Sequence, residues 1–180
     1  MRVLLVGPPG AGKGTQGKRI AERYSVPHLS SGELLRVHVD DGTELGRAAQ
    51  PHMDSGGLVP DELVLAMLRD RIGAPDASRG YVLDGIPRNR AQAEDLSDLD
   101  LDAVIWLDVP HDELVRRLDE RGRDDDDAET VEHRIEVYAS ETQPMLDYYD
   151  DKGYLRRVDA DGPVETVTAR ICAVLADING

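Results

Sequence analysis

The feature that most constrains this chain is a glycine-rich loop near its N-terminus. It follows the apolar run Val3 to Val6, reads Gly7-Pro8-Pro9-Gly10-Ala11-Gly12-Lys13-Gly14-Thr15-Gln16, and precedes a predicted helix from Gln16 to Tyr24. Glycines let backbone N–H groups turn toward phosphate oxygens, and a helix N-terminus adds its dipole. Lys13 adds a mobile positive charge for a transferred phosphoryl group. The loop therefore predicts a phosphate-binding site after the first strand.

The hydroxyl of this loop comes one residue later than in the common pattern, in which Ser or Thr directly follows the lysine. Here Gly14 stands between Lys13 and Thr15. Direct binding of magnesium by Thr15 is therefore not assumed.

Length and composition predict one cytoplasmic domain with insertions. The chain has 180 residues, no charged-then-apolar leader and no apolar run near the roughly 20 residues that a bilayer span needs. Cys172 is the only cysteine, and the five histidines lack metal-ligand spacing, so no structural zinc is expected. The net charge of −15 argues against nucleic acid or an anionic membrane as a partner. Adaptation to high salt and a GC-rich genome are two alternative explanations for this acidic composition.

Five short apolar segments alternate with helical patterns and predict an α/β fold, a five-stranded parallel sheet with helices on both faces. The nearly continuous apolar runs are typical of strands that are covered on both sides. Ligands of such sheets bind beyond the carboxyl ends of the strands. The predicted strands are Arg2–Val6, Pro27–Leu29, Gly80–Asp84, Ala103–Val109 and Leu155–Asp159.

Two segments do not fit this alternation and are interpreted as the moving parts of a single domain. Residues 30–59 run through polar, glycine-punctuated helical turns before a helix that starts at Pro60-Asp61-Glu62 and ends near Ile72. Residues from about 120 to 133 include a four-aspartate run and predict a short solvated lid. The core then comprises residues 1–29, 60–119 and 134–180.

The segment Asp84-Gly85-Ile86-Pro87-Arg88 follows a predicted strand and emerges at the same sheet edge as the phosphate loop. A carboxylate there would position magnesium and its waters, and Arg88 would enter the same crevice. A turn-capping role for Asp84 and a structural role for Arg88 are the alternatives.

Arginines near the lid predict a clamp opposite the phosphate loop. Arg117 and Arg121 share a helical face, Arg123 lies just beyond, and Arg134 belongs to the inward-facing set of the next helix with Val131 and Ile135. Surface salt bridges are the ordinary alternative for any one of them. Asp125 and Asp126 either hold these guanidinium groups in position or form a solvated loop.

These landmarks, in this order, resemble the adenylate kinase family, of the short-lid bacterial type, over essentially the whole chain. Besides the phosphate loop they include Ser30 to Arg36, Met53 to Val59, Asp84 to Arg88 with Gln92, Arg121-Gly122-Arg123, and Arg134 eleven residues after Arg123. The resemblance implies magnesium-dependent transfer of a phosphoryl group from ATP to AMP by a monomer.

The resemblance also implies a role for particular residues, with Lys13, Arg88, Arg123 and Arg134 as the catalytic set. The implied ATP-binding residues are Gly10, Ala11, Gly12, Lys13, Gly14, Thr15, Arg117, Arg121 and Gly162. The implied AMP-binding residues are Ser31, Arg36, Gly57, Leu58, Val59, Gly85, Ile86, Pro87, Arg88, Gln92, Arg123 and Arg134. Asp84 is the implied magnesium-site residue, acting through water.

Three positions depart from the family pattern. Ser31 stands where threonine is usual, Ile86 replaces an aromatic residue, and Asp124 adds a charge beside the lid arginines. The first two are expected to loosen the AMP pocket modestly, and the third to change lid closure.

Three other functions compete with this interpretation. A UMP/CMP kinase of the same fold would have Ala where this chain has Ser31, and Asn where it has Gln92. Asn89, by contrast, is mildly similar to the residue of the pyrimidine enzymes. A GTP-dependent switch would need an Asn-Lys-x-Asp motif, which neither Asn89 nor Asn179 supplies. A non-catalytic nucleotide-binding module would leave the arginine clamp without a purpose.

Overall fold

The computed structural model describes residues 1–54, 59–121 and 128–179. Within them, the central sheet is parallel throughout and has the strand order β2-β3-β1-β4-β5. The strands are β1 (Arg2–Val6), β2 (His28–Ser30), β3 (Tyr81–Asp84), β4 (Ala103–Asp108) and β5 (Leu155–Asp159). The prediction of a five-stranded parallel α/β sheet is confirmed.

Helices cover the sheet and extend beyond it. Those before β3 are α1 (Lys13–Tyr24), α2 (Ser31–Asp40), α3 (Glu44–Asp54) and α4 (Asp61–Ile72). Those after β3 are α5 (Arg90–Asp95), α6 (His111–Arg121), α7 (Ala128–Val137), α8 (Met145–Asp151) and α9 (Val164–Asn179). A π-helical turn, Tyr138–Thr142, follows α7, and short 3₁₀ turns lie at Pro75–Ala77 and Ser97–Leu99.

The core has one layer on each face of the sheet, as β1 illustrates. Val3 and Leu5 pack with α1 and α9 residues such as Ile20 and Ile171, whereas Leu4 and Val6 pack on the opposite face. Successive side chains of a strand point to opposite faces, so a strand buried on both sides needs an uninterrupted apolar run. The sequence Val3 to Val6 is therefore explained by its position at the centre of the sheet.

Most boundaries agree with the sequence patterns, and the start of α1 is the instructive exception. The helix was expected from Gln16 but begins at Lys13. Gly12 immediately before it has a left-handed φ of 89°, which glycine adopts readily. The phosphate loop therefore turns directly into the helix, and part of the glycine-rich motif forms its first turn. Among the strands, β2 is shifted one residue later at both ends, β3 begins one residue later than expected, and β4 ends one residue earlier.

Within the range 30–59, Ser30 ends β2 and most of the other described residues belong to α2 and α3. These helices pack on α4 through a small apolar cluster that contains Leu35, Ala49 and Met67. The described ends of the range 120–133 are also helical, since α6 continues to Arg121 and α7 begins at Ala128. The division of the chain into core, insertion and lid stays a prediction. Within the described ranges, every helix is too short or too polar to cross a bilayer.

Candidate active site

The phosphate loop lies between the end of β1 and the start of α1. Gly10 and Gly12 both have positive φ values, 83° and 89°, so two left-handed turns shape the loop. A Cβ atom on Gly10 would lie 3.0 Å from the carbonyl oxygen of Leu114, whereas the space beside Gly12 and Gly14 is open. The loop is therefore packed against α6 on one side and accessible on the other.

Lys13 is the first residue of α1, and its side chain reaches back over the loop. Its Nζ atom donates hydrogen bonds to the carbonyl oxygens of Gly7 at 2.6 Å and Pro8 at 2.9 Å. The ammonium group is thus held over the loop where a phosphate is expected. Its catalytic role stays a prediction.

Asp84 ends β3, next to the strand that carries the phosphate loop. In the parallel register Asp84 is the partner of Leu5, so its carboxylate and the loop emerge at the same sheet edge. Asp84 is only 6% exposed, and Nε2 of His28 donates to its Oδ2 at 2.6 Å. This histidine fixes one carboxylate oxygen at the end of the strand.

Ser31 and Gly85 meet beside this carboxylate. A Cβ atom on Gly85, which has a φ of 83°, would lie 2.4 Å from Oγ of Ser31. Ser31 is 2% exposed, and its hydroxyl has no hydrogen-bond partner among the described residues. A buried polar atom without a partner is unfavourable, so this hydroxyl fits a site that a polar ligand completes.

Arg88 lies in the turn between β3 and α5, after a cis peptide bond between Ile86 and Pro87. Its backbone N–H donates to Oε1 of Gln92 at 2.7 Å, and its carbonyl accepts from Oγ1 of Thr142 at 2.6 Å. Its own Nε donates to the carbonyl of Gly85 at 2.7 Å. Two side chains and one turn carbonyl therefore hold this exposed arginine in place.

The surroundings of Arg88 lower the pKa of its guanidinium. Desolvation by the surrounding protein and the nearby positive charge of Arg134 lower the pKa of its guanidinium, while Asp84 and Asp61 oppose that change. Arg88 is an exposed residue, but protein atoms still displace much of the water around its guanidinium. Two neighbouring positive charges are typical of a site for an anion.

Gln92 lies on α5 and is buried although polar. Its Nε2 donates to Oδ1 of Asp61 at 2.6 Å, and its backbone N–H donates to Oδ1 of Asn89, the N-cap of α5, at 2.9 Å. With the bond from Arg88, this amide connects α4, α5 and the turn after β3.

The remaining predicted AMP-binding residues lie in several different elements. Arg36 is exposed on α2, and its guanidinium lies near Gly32, where a Cβ atom would be 3.6 Å from Nη1. Val59 packs against the small cluster between the insertion helices and α4. Ile86 and Pro87 are buried in the turn before Arg88. Gly57 and Leu58 lie outside the described residues.

On the predicted ATP side, Arg117 is tied to the end of β5. Its Nε donates to Glu113 at 2.6 Å and its Nη2 donates to the carbonyl of Ala160 at 3.0 Å. Hydrogen bonds from Arg116 and Arg117 lower the pKa of Glu113 to about 2. Gly162 follows shortly after with a φ of 120°, and the space beside it is open. The structure thus brings Arg117 near the segment of Gly162.

The lid arginines are only partly described. Arg134 lies half-buried on α7, the helix that also carries the buried Val131. Its positive charge contributes to the lowered pKa of Arg88. Arg121 ends α6, and Arg123 lies outside the described residues, as do Asp124, Asp125 and Asp126. Their predicted contacts with phosphate stay predictions.

Sequence reasoning missed His28 and Thr142. His28 stands in a strand whose pattern is weak, and only the pairing of β2 with β3 brings it to Asp84. Thr142 lies in the π-helical turn, which has no periodic signature in the sequence. Neither residue offered a sequence signal for its contact, since His28 is the first residue of β2 and pairs with Val82 rather than with Asp84 in the register.

The described residues contain no group of three or more His, Cys, Asp or Glu side chains able to hold a metal ion. Asp84 still fits a magnesium ion that is bound mainly by nucleotide phosphates and water, because such sites use only one or two carboxylates. Its burial and its bond to His28 hold the carboxylate in one position.

Comparison with known proteins gives a consistent result. The family model described as adenylate kinase matches residues 5–154. A protein named adenylate kinase from Thermobifida fusca (strain YX) is 49% identical over 185 residues, which cover 97% of this chain and 98% of the relative. The adenylate kinase of Kocuria rhizophila is 46% identical over 184 residues, with the same coverage. That of Streptomyces coelicolor is 42% identical over 213 residues, again covering 97% and 98%.

Proposed function

This chain belongs to the adenylate kinase family, and from that premise we propose that it catalyses the reversible reaction of ATP and AMP to two ADP. One structural observation carries the proposal. The phosphate loop after β1 and the turn from Asp84 to Arg88 after β3 lie at the carboxyl ends of two adjacent strands, paired through Leu5 and Asp84. A donor phosphate in the loop would face an acceptor held by the turn.

The acceptor in this reaction is a phosphate oxygen that is already ionised at neutral pH, so no general base is needed. Catalysis then consists of alignment and stabilisation of charge on the transferred group. We assign this to Lys13 at the loop and Arg88 in the turn after β3, whose side chains are held by the carbonyl groups of Gly7 and Gly85, and propose that Arg123 and Arg134 join them. Exclusion of water protects ATP from hydrolysis.

Magnesium, when bound with ATP, neutralises charge on the phosphate oxygens. We assign Asp84 to its site, acting through water, and His28 to the fixation of Asp84. The proposed AMP site contains Gln92 and the Ser31 hydroxyl, which lies beside Gly85 and is buried without a partner among the described residues. The proposed ATP site contains Gly10 to Thr15 with Arg117, Arg121 and Gly162. The family resemblance further supports a cytoplasmic monomer.

The experiment is a measurement of ADP formation from ATP and magnesium with AMP, UMP, CMP or GMP as the acceptor. ATP alone and AMP alone serve as controls for hydrolysis. We expect AMP to be the preferred acceptor and hydrolysis to be slow. Preference for UMP or CMP would favour the pyrimidine nucleotide kinase, and hydrolysis without transfer would contradict the proposal.

A further inference from the structure

The side-chain amide of Gln92 is held by two partners of opposite kind. Its Oε1 accepts a hydrogen bond from the backbone N–H of Arg88 at 2.7 Å, and its Nε2 donates to Oδ1 of Asp61 at 2.6 Å. Gln92 is 5% exposed, so its amide is shielded from water although Asp61 and Arg88 are exposed residues. Both ends of the amide are therefore identified by their neighbours.

This arrangement allows only one orientation of the amide. A backbone N–H can only donate, and an ionised carboxylate can only accept. Rotation of the amide by 180° would place Oε1 against Asp61 and Nε2 against the N–H of Arg88, which loses both bonds. One N–H and one oxygen lone pair of the amide remain for a ligand.

The orientation matters for the recognition of a purine. Adenine presents an amino group beside a ring nitrogen that accepts, and a fixed amide can pair with both through its oxygen and its remaining N–H. A 6-oxopurine has a carbonyl in place of the amino group, so it would face the amide oxygen with another acceptor. An amide that is free to rotate would not discriminate in this way.

Of the two partners, only Asp61 contributes through its side chain. The N–H of Arg88 belongs to the backbone and is present whatever residue occupies that position, short of proline. Asp61 is the first residue of α4, 31 positions before Gln92, and accepts the hydrogen bond from a different helix. The part of the constraint on the amide orientation that substitution can remove therefore depends on the residue type at position 61.

We propose that Asp61 is a specificity-determining positioning residue, which holds the Gln92 amide so that the acceptor site favours adenine over a 6-oxopurine. The inference rests on the proposed AMP-binding role of Gln92. It adds the residue that fixes the polarity of that contact.

The test compares AMP with inosine monophosphate, which carries the 6-oxo group, as acceptors for the full chain. The variants are Asp61→Asn, Asp61→Ala and Gln92→Leu. The matched control is Glu62→Gln, which removes a neighbouring exposed charge in the same first turn of α4. The readouts are kcat and KM for each acceptor, KM for ATP, and AMP binding without ATP by calorimetry.

Asparagine can donate or accept, so Asp61→Asn keeps a partner for Gln92 but removes one of the two constraints on the orientation of its amide and leaves only the backbone N–H of Arg88. We expect it to narrow the ratio of kcat/KM for AMP over inosine monophosphate roughly tenfold, since one correct pair of hydrogen bonds discriminates by about that factor. Asp61→Ala should raise KM for AMP and weaken AMP binding, because it leaves an N–H of Gln92 unpaired. KM for ATP should not change in either variant, and Glu62→Gln should behave as wild type.

Each outcome separates this inference from the proposed function. Both Asp61 variants with the wild-type ratio, together with a shift in Gln92→Leu, would overturn the inference and leave the role of Gln92 intact. An unchanged KM for AMP in Gln92→Leu would overturn both. A wild-type enzyme that forms no ADP from AMP would overturn the proposed function itself.

Discussion

The hydroxyl of Thr142 donates a hydrogen bond to the backbone carbonyl of Arg88 at 2.6 Å, across 54 positions of sequence. Thr142 closes the π-helical turn Tyr138–Thr142 and is buried. Turns of this kind are frequent at functional sites, because they place a side chain where a regular helix would not. The turn thus supports the residue that is proposed to contact the transferred phosphate.

Thr142→Val is expected to lower kcat roughly tenfold to a hundredfold, because a small displacement of a catalytic group is costly. It should also destabilise the fold by about 1–3 kcal/mol, since the carbonyl of Arg88 is left without this partner. Steady-state kinetics and urea denaturation measure the two effects. Thr142→Ser keeps the hydroxyl and should retain most of the activity. A valine variant with wild-type kcat would contradict the positioning role.

Arg88→Ala is expected to lower turnover by roughly a thousandfold or more, because an arginine that stabilises charge on a transferred phosphoryl group contributes at this level. The fold should remain, since the backbone bonds of Arg88 to Gln92 and Thr142 do not need its side chain. Arg90→Ala is the matched control, because Arg90 is exposed and paired with Glu94. More than about a tenth of the activity in Arg88→Ala would exclude the assigned role.

The lid arginines are expected to close on the phosphates. In a crystal structure with a bisubstrate mimic, Arg121, Arg123 and Arg134 should lie within about 3.2 Å of phosphate oxygens. Arg134 already lies near enough to Arg88 to lower its pKa, after the larger effect of desolvation. A closed complex in which Arg123 points to solvent would refute the prediction.

Gly17→Ala should destabilise the protein by roughly 1–3 kcal/mol, the usual cost of overpacking. The added Cβ atom would lie 2.4 Å from Nε2 of His28, the atom that bonds Asp84. His28→Ala should suppress the effect in the double variant, because it removes the obstructing ring. Urea denaturation of the four proteins forms the thermodynamic cycle.

Gly14→Ala is the control for this prediction, since it makes the same change in the same helix where the space is open. It should leave stability equal or raise it by up to about 1 kcal/mol. Equal stability of Gly17→Ala and wild type would show that His28 moves away without cost.

Local patterns predicted the bounds of the strands β1 and β5 to the residue, because a strand pattern depends only on neighbouring residues in the sequence. The contacts that hold the site could not be predicted in this way. His28 meets Asp84, Asp61 meets Gln92 and Thr142 meets Arg88 only after the strands and helices have packed. The predicted start of α1 is three residues late, because Lys13, Gly14 and Thr15 read as part of the loop, whereas they follow the N-cap Gly12 and belong to the first turn of the helix.

The turn that carries Arg88 keeps its shape mainly through main-chain atoms, an N–H and a carbonyl that remain whatever side chain is attached. Scaffold and reactive group are thereby separable in this enzyme. A different donor installed at position 88, such as lysine or histidine, would be presented from the same point in the crevice. The turn is therefore suited to the redesign of phosphate chemistry, because the side chain that contacts the phosphate can be exchanged while the backbone that positions it stays the same.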